Sequence, residues 1–295
     1  MLDLGIVIVN WNTGDFLRDC LRSVDASEGE LAFEVVVVDN CSHDNSAAMV
    51  RQEFPHVHLI ENDTNCGYAP ANNMGLRRLE ARYYLLLNPD TVLPPNALRD
   101  MVAFMEDHPE AGMAGPKLVM ADGKLDLACR RGFPTPENSF YKLFGLSKLF
   151  PKSRRFGQYN LTYLDPDEMA EVDCVVGAFL MVSREVVGQV GLLDEQYFMY
   201  AEDLDWALRA KQAGWKVYYC PHVTVLHYKR RASEQNPQEA RYEFWRAMYL
   251  FYRKHYAADT PSWLHYLVLA GLALRGGTPM LREIVRSGKK AATEA

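Results

Sequence analysis

"LGIVIVN" occupies residues 4–10 and carries no charge. A continuous run of this kind, rich in Ile and Val, marks a strand buried on both faces. "FEVVVVDN" (33–40) repeats the pattern, and "VHLIEN" (57–62) and "YYLLLNPD" (83–90) supply a third and fourth strand. The intervals have a different period. Phe16, Leu17, Cys20, Leu21 and Val24 recur at helical spacing. Residues 44–54 and 69–81 also read as helices. Strands alternating with helices imply a parallel sheet covered on both sides. The chain has no internal repeat and no low-complexity segment.

After residue 110 the rhythm changes. Residues 111–129 predict a strand and a short hairpin around "MADGK". Residues 130–171 have weak periodicity and the basic cluster "KLFPKSRR", as in a long, partly mobile connection. "EVDCVVGAFLMVSR" returns to strand character. "WKVYYCP" and "TVLHY" predict two short strands flanking Pro221, and the chain turns helical from about residue 238.

The 295 residues are 48% hydrophobic and 24% charged, which supports a substantial core. A net charge of -6 gives no push toward nucleic acid. The six cysteines are scattered with no C-x-x-C pair, so neither a zinc site nor a dithiol redox motif is indicated, and a reducing cytoplasm fits. The N-terminal apolar run lacks a basic start and a small-residue cleavage site, and reads as a first strand.

The polar residues fall at strand ends. Asn10 and Asp39 close the first two strands, and Asn88 and Asp90 close the fourth. In an open α/β sheet, ligands bind at the carboxyl ends of strands. Three such ends predict a binding crevice. No G-x-G-x-x-G follows the first strand and no G-x-x-x-x-G-K-[ST] occurs anywhere. A divalent metal on carboxylate oxygens is another way to hold a pyrophosphate. Asp90, after the rigid Pro89, suits that role; a plain N-P-D turn is the ordinary alternative. His227, ending "TVLHY", is a second candidate ligand, although a lone His is commonly structural. "FMYAEDLDWALR" (198–209) sets Glu202, Asp203 and Asp205 among Phe198, Tyr200 and Trp206. These acids read either as a helix start that favours the dipole or as a site containing a base.

These stretches together resemble glycosyltransferase family 2. The matching segments run from "IVIVNWNTGDFLRDCLRSV" through "EVVVVDNCSHDNS", "NCGYAPANNMGL", "YYLLLNPDTVL" and "VVGAFLMVSREVVGQVGLLDEQYFMYAEDLDWALRAKQAGWKVYYCP" to "VLHY". The "N-P-D" and "F-x-Y-x-E-D-x-D-W" forms are most similar to the bacterial rhamnosyltransferase branch. The resemblance implies a GT-A-type nucleotide-binding α/β sandwich with a mostly parallel sheet, plus C-terminal helices. It implies an inverting, single-displacement hexosyltransferase acting in polysaccharide biosynthesis of the cell envelope. The donor would be a nucleotide-sugar, L-rhamnose from dTDP-rhamnose, and the acceptor a glycan or lipid-linked glycan. Asn10, Asp39, Asn65, Asn72, Asn88, Gly177 and Ala178 would line the donor site. Asp90 and His227 would bind a divalent metal, Mg2+ or Mn2+, with Asn88 replacing the first acid of the family's D-x-D motif. Asp203 would be the catalytic base, with Glu202, Asp205 and Trp206 orienting the acceptor.

The resemblance ends near residue 228. The expected division is a catalytic domain over 1–235, with a nucleotide-sugar half to about 118 and an acceptor half over 119–235, then a helical extension over 236–295. "WLHYLVLAGLAL" (263–274) is too short to span a bilayer, which takes about 20 residues. Arg275, Arg282, Arg286, Lys289 and Lys290 follow it. The segment reads as a helix packed on the catalytic domain, or as an interfacial helix at the inner face of the cell membrane. Two other functions compete: a catalytically silent nucleotide-sugar or glycan binding module, and an enzyme that makes sugar nucleotides. The latter usually has a glycine- and basic-rich phosphate loop, which "NWNTGDF" lacks.

Overall fold

The computed structural model describes residues 1–229 and 233–293. The elements in chain order are β1 (Leu2–Asn10), α1 (Gly14–Asp25), β2 (Phe33–Asp39), α2 (Ser46–Glu53), β3 (His58–Glu61), α3 (Tyr68–Arg78), β4 (Ala81–Leu87), β5 (Thr91–Val92), α4 (Ala97–Asp107) and β6 (Ala111–Val119). Then come α5 (Pro136–Leu143), α6 (Leu146–Leu149), β7 (Ala170–Val172), β8 (Phe179–Ser183), α7 (Arg184–Val190), α8 (Glu202–Gln212), β9 (Lys216–His227), α9 (Pro237–His255) and α10 (Ser262–Thr293).

One sheet joins the strands in the order β3-β2-β1-β4-β8-β6-β9-β5, with β7 pairing β9 off that path. The β3-β2-β1-β4 half is parallel, as the buried apolar runs predict. Every residue of β1 from Leu4 to Asn10 is buried, and so are Val35–Val38 in β2. β8 then enters antiparallel to both β4 and β6, so the second half of the sheet is mixed. The α/β class holds with this reversal.

Three local expectations change. The helix predicted over 69–81 ends at Arg78, because Ala81 pairs with Leu2 and begins β4. The two strands expected around Pro221 are one, β9. Its pairing with β6 jumps from Pro116↔Cys220 to Lys117↔Thr224, so Pro221 sits in a bulge where its missing N–H breaks no ladder. The stretch "EVDCVVGAFLMVSR" divides into β7 and β8 across a loop containing Gly177.

Gly67 lies between two motifs. Its φ is +94°, and a Cβ there would stand 2.6 Å from Phe198 O. Tyr68 N–H donates to that same carbonyl at 2.6 Å. The close approach fastens the "NCGY" loop to the segment leading into α8, and only glycine permits it.

α9 contributes Ala247 and Phe251 to the main core. α10 packs Leu272 and Met280 against Tyr249 of α9, and bends at Gly277, where φ is +73°. Trp263, Tyr266, Leu267 and Leu274 stay exposed. The side chains of Lys289 and Lys290 lie outside the described residues. Among the described residues no helix is long and apolar enough to cross a membrane.

Candidate active site

The ends of β1 and β2 meet in a closed polar cluster. Asn10 Nδ2 donates to Asp39 Oδ1 at 2.8 Å and to Ser42 Oγ at 3.0 Å, and Thr13 Oγ1 donates to Asn10 Oδ1 at 2.7 Å. Ser42 N–H holds the other Asp39 oxygen at 2.9 Å. Asn10 has no exposed surface, so it positions Asp39 rather than reaching a ligand itself. Asn65 Oδ1 accepts from Gly67 N–H at 3.0 Å and shapes the glycine loop. Asn72 donates to Tyr68 O at 2.9 Å, while its Oδ1 is buried without a partner.

β5 pairs antiparallel with the end of β9, setting Thr91 opposite His227. That register brings His227 Nε2 to 3.3 Å from Asp90 Oδ1. On the other side of the ring, His227 Nδ1 meets Asp126 Oδ2 at 3.1 Å, and Lys229 also bonds Asp126. Burial alone would lower the proton affinity of His227, but Asp126 and Asp90 outweigh it and push the ring up to about 9. His227 Nε2 is buried and makes no hydrogen bond. A carboxylate behind a histidine whose outer nitrogen faces a second carboxylate, Asp90, is an arrangement in which Nε2 and Asp90 could share one cation. Among the described residues no group of three or more His, Cys, Asp or Glu is set to hold a metal by itself. Two protein donors nonetheless suit Mg2+ or Mn2+, which commonly keep waters and substrate phosphate oxygens as their other ligands.

Tyr68 ties the end of β4 to the loop before β8. Its hydroxyl lies 3.1 Å from Asn88 Oδ1 and 2.9 Å from Gly177 O. Burial first, then the charges of Glu202, Asp203 and Asp90, raise its proton affinity well above the usual value. Asn88 N–H donates to Ala178 O at 2.9 Å, which closes the link between β4 and β8.

The carboxylates of α8 have three different environments. Asp203 Oδ2 accepts from Arg131 Nη2 at 2.6 Å and from Gly177 N–H at 3.1 Å, and Oδ1 accepts from Leu204 N–H at 2.7 Å. Glu202 has a buried Oε2 without a partner; burial, then the neighbouring Asp203, push it up to about 8. Asp205 faces away, bonded to Arg209 at 2.8 Å and His255 at 2.7 Å. Trp206 is fully buried with Nε1 on Gly191 O at 2.8 Å, so it is a core side chain and offers no surface to an acceptor. Just before α8, Tyr200 and Ala201 both have positive φ, 72° and 62°. Two successive left-handed non-glycine residues store strain at the point where the acids are presented.

The segment from residue 5 to 187 matches the profile of Glycosyl transferase family 2, well over half of the 295 residues. The chain belongs to this family. Along 97% of its length it is 27% identical to the N-acetylglucosaminyl-diphospho-decaprenol L-rhamnosyltransferase of Mycobacterium tuberculosis, covering 95% of that protein. It is 23% identical to rhamnosyltransferase WbbL of Escherichia coli K12, over 76% of this chain and 82% of that one. Among solved structures, TarS residues 1–349 of S. aureus with UDP superposes with a TM-score of 0.54 at 16% identity, over 83% of this chain and 65% of that one. GalNAc-T7 with UDP, GalNAc and Mn2+ gives 0.56 at 17% identity, over 77% and 44%. These likenesses establish the GT-A-type fold.

Sequence reasoning about this glycosyltransferase omitted Tyr68, Asp126 and Arg131. Tyr68 stands inside the quoted "NCGYAPANN" motif, where its position beside Gly67 was an available signal. Arg131 and Asp126 had none. Both come from the stretch after β6, and the structure buries them at 8% and 0% exposure. A cavity of about 540 Å3 between α1 and α2, lined by Thr13, Arg18, Asp44 and Gln52, contains none of the α8 acids. The candidate site is the set of buried polar groups around Tyr68, Asp90 and α8, which that cleft does not include.

Proposed function

We propose that this glycosyltransferase moves L-rhamnose from dTDP-rhamnose to a lipid-linked glycan, with inversion and with a divalent metal. The observation that carries this reading is the set of groups around Tyr68: its hydroxyl bonds Asn88 and Gly177 O, the charges of Glu202, Asp203 and Asp90 act on it, and Asp90 in turn contacts His227. The nearly full-length similarity to a mycobacterial L-rhamnosyltransferase supports the donor sugar and the lipid-linked acceptor. The solved relative holding Mn2+ supports the metal.

Asp90 and His227 would hold the cation, which when bound offsets charge developing on the departing diphosphate. Asp39, fixed by Asn10 and Ser42, would orient the nucleoside. The acceptor hydroxyl then attacks the anomeric carbon as the bond to the diphosphate breaks, and its proton passes to Asp203. Arg131 and Gly177 N–H fix the orientation of that carboxylate. A second reading makes Glu202 the proton acceptor. Its unpartnered Oε2 and its affinity near pH 8 favour that assignment.

The test is nucleoside diphosphate release from a panel of dTDP- and UDP-sugars, with and without Mg2+ or Mn2+, using a lipid-pyrophosphate acceptor. Release from dTDP-rhamnose that needs metal and acceptor supports the proposal. Turnover of UDP-sugars alone refutes the donor, and undiminished turnover in chelator refutes the metal. A chain that binds donor but turns over none of the panel is the silent module.

A further inference from the structure

The segment from Asn138 to Leu164 contains five Lys and Arg and no Asp or Glu, in a chain whose net charge is -6. Its aromatic side chains form a connected group. Phe144 packs tilted against Phe140 at 4.4 Å, Phe140 meets Tyr141 at 6.0 Å, Tyr141 meets Phe156 at 4.9 Å, and Phe156 meets Phe150 at 5.5 Å. A group of this size would ordinarily be core, yet its ends face outward. Phe140 is 50% exposed, Phe144 65%, Leu149 70% and Phe150 48%. Lys148, Lys152 and Arg154 are also exposed, and among the described residues no carboxylate pairs with them.

The base of this segment is fixed in the active site. Gly132 N–H donates to Tyr159 O at 3.0 Å, and Phe133 N–H donates to Asp173 at 3.1 Å. Arg131, the residue before Gly132, holds Asp203. Tyr159 is buried close enough to Arg131 and Asp203 for their charges to act on its hydroxyl. The residues flanking α5–α6 are thus held close to Arg131 and its partner Asp203, while α5–α6 and the turn after it expose aromatic rings among cations.

We propose that α5–α6 is an interfacial element that docks the enzyme on an anionic phospholipid bilayer. Phe140, Phe144, Leu149 and Phe150 enter the headgroup–acyl boundary, and Lys148, Lys152 and Arg154 meet lipid phosphates. Exposed aromatics interleaved with Lys148, Lys152 and Arg154 are the composition that binds such an interface, and five Lys and Arg against the single acid Glu137, itself paired with Arg155, supply the charge complementarity. The placement rests on the lipid-linked acceptor proposed above: the surface carrying that acceptor would meet the enzyme at the segment anchored beside Asp203. The exposed face of α10 is a separate apolar surface, and the two are distinguishable.

The whole chain is sedimented with vesicles of phosphatidylcholine alone and with vesicles that also contain phosphatidylglycerol, whose headgroups give a negative surface potential. Two α5–α6 variants, F144S/F150S and K148E/K152E, are compared with W263S/L267S on α10. Unchanged melting and donor binding certify that each variant is folded. Binding to the anionic vesicles that falls at least about tenfold in both α5–α6 variants supports the proposal, with the charge variant losing its dependence on salt. Wild-type protein that ignores anionic vesicles overturns it. So does retention of binding in both α5–α6 variants, with or without loss in W263S/L267S. A change in oligomeric state without a change in vesicle binding reassigns the patch to self-association. The vesicle assay contains no donor or acceptor, so its outcome is independent of the sugar assignment. Turnover of a water-soluble acceptor analogue reports on that assignment separately.

Discussion

Arg131 Nη2 lies 2.6 Å from Asp203 Oδ2, and the two side chains are 10% and 6% exposed. Burying a charge pair is tolerable only while both partners remain, because a single buried charge has no compensation. Arg131→Met is expected to destabilise the protein by about 3–5 kcal/mol. Adding Asp203→Asn should then cost less than it does in the wild type, giving a coupling of at least about 1 kcal/mol. Urea unfolding of the two single variants and the double variant checks this. Strictly additive effects would mean that the pair is not an energetic unit.

Glu202 sets a slope of stability with pH. Its folded affinity is pushed up to about 8, by burial and then by Asp203, from an ordinary 4.5. The folded state therefore keeps a proton that the unfolded chain releases, and stability contributed by the neutral form is lost as pH rises from 4.5 toward 8. Glu202→Gln lacks this slope. Relative to wild type it should gain roughly 2–4 kcal/mol by pH 9 and nothing below pH 4.5. Melting curves across that range decide it; parallel pH profiles would place the proton elsewhere.

The two candidate bases separate by kinetics. Asp203→Asn keeps the shape of the carboxylate but accepts no proton, so turnover should fall by about two to four orders of magnitude with donor affinity retained. If Glu202→Gln produces that fall and Asp203→Asn does not, the base is Glu202.

Asp126 would act on the proposed metal site through His227. Asp126→Asn weakens the hold on Nδ1, and affinity for Mn2+ in the presence of a nucleoside diphosphate should drop about 10–100-fold. Calorimetric titration measures it. An unchanged affinity would reduce His227 to a structural residue.

Asp205 couples α8 to α9 through His255 and Lys254. Burial opposes its ionisation, but hydrogen bonds from His255 and Lys254 overcome this and hold it at about 2 instead of 3.8. Its contribution is present above 3.8 and is lost as pH falls toward 2. Asp205→Asn should cost about 2 kcal/mol at pH 7, with the difference narrowing below pH 4, as urea unfolding at several pH values would record.

The residue pattern by itself determined the parallel half of the sheet. Runs such as Ile6–Val9 and Val35–Val38 are apolar on both faces, and that property is local, so it is visible without any partner. The strand ends then placed Asn10, Asp39, Asn88 and Asp90 on one edge. The α1 stripe was equally legible: Leu17, Cys20, Leu21 and Val24 are all buried. Only the tertiary structure decided that β8 runs against its neighbours and that the β9 bulge carries Pro221 without breaking the strand. It alone brought His227 to Asp90, through the short pairing of β5 with β9. It alone delivered Arg131 from an aperiodic connection to Asp203. The physical reason is common to these cases. Apolar burial leaves a period in the chain because each side chain answers to water, whereas a buried charge answers to one partner, whose place is set by strand pairing far away in sequence.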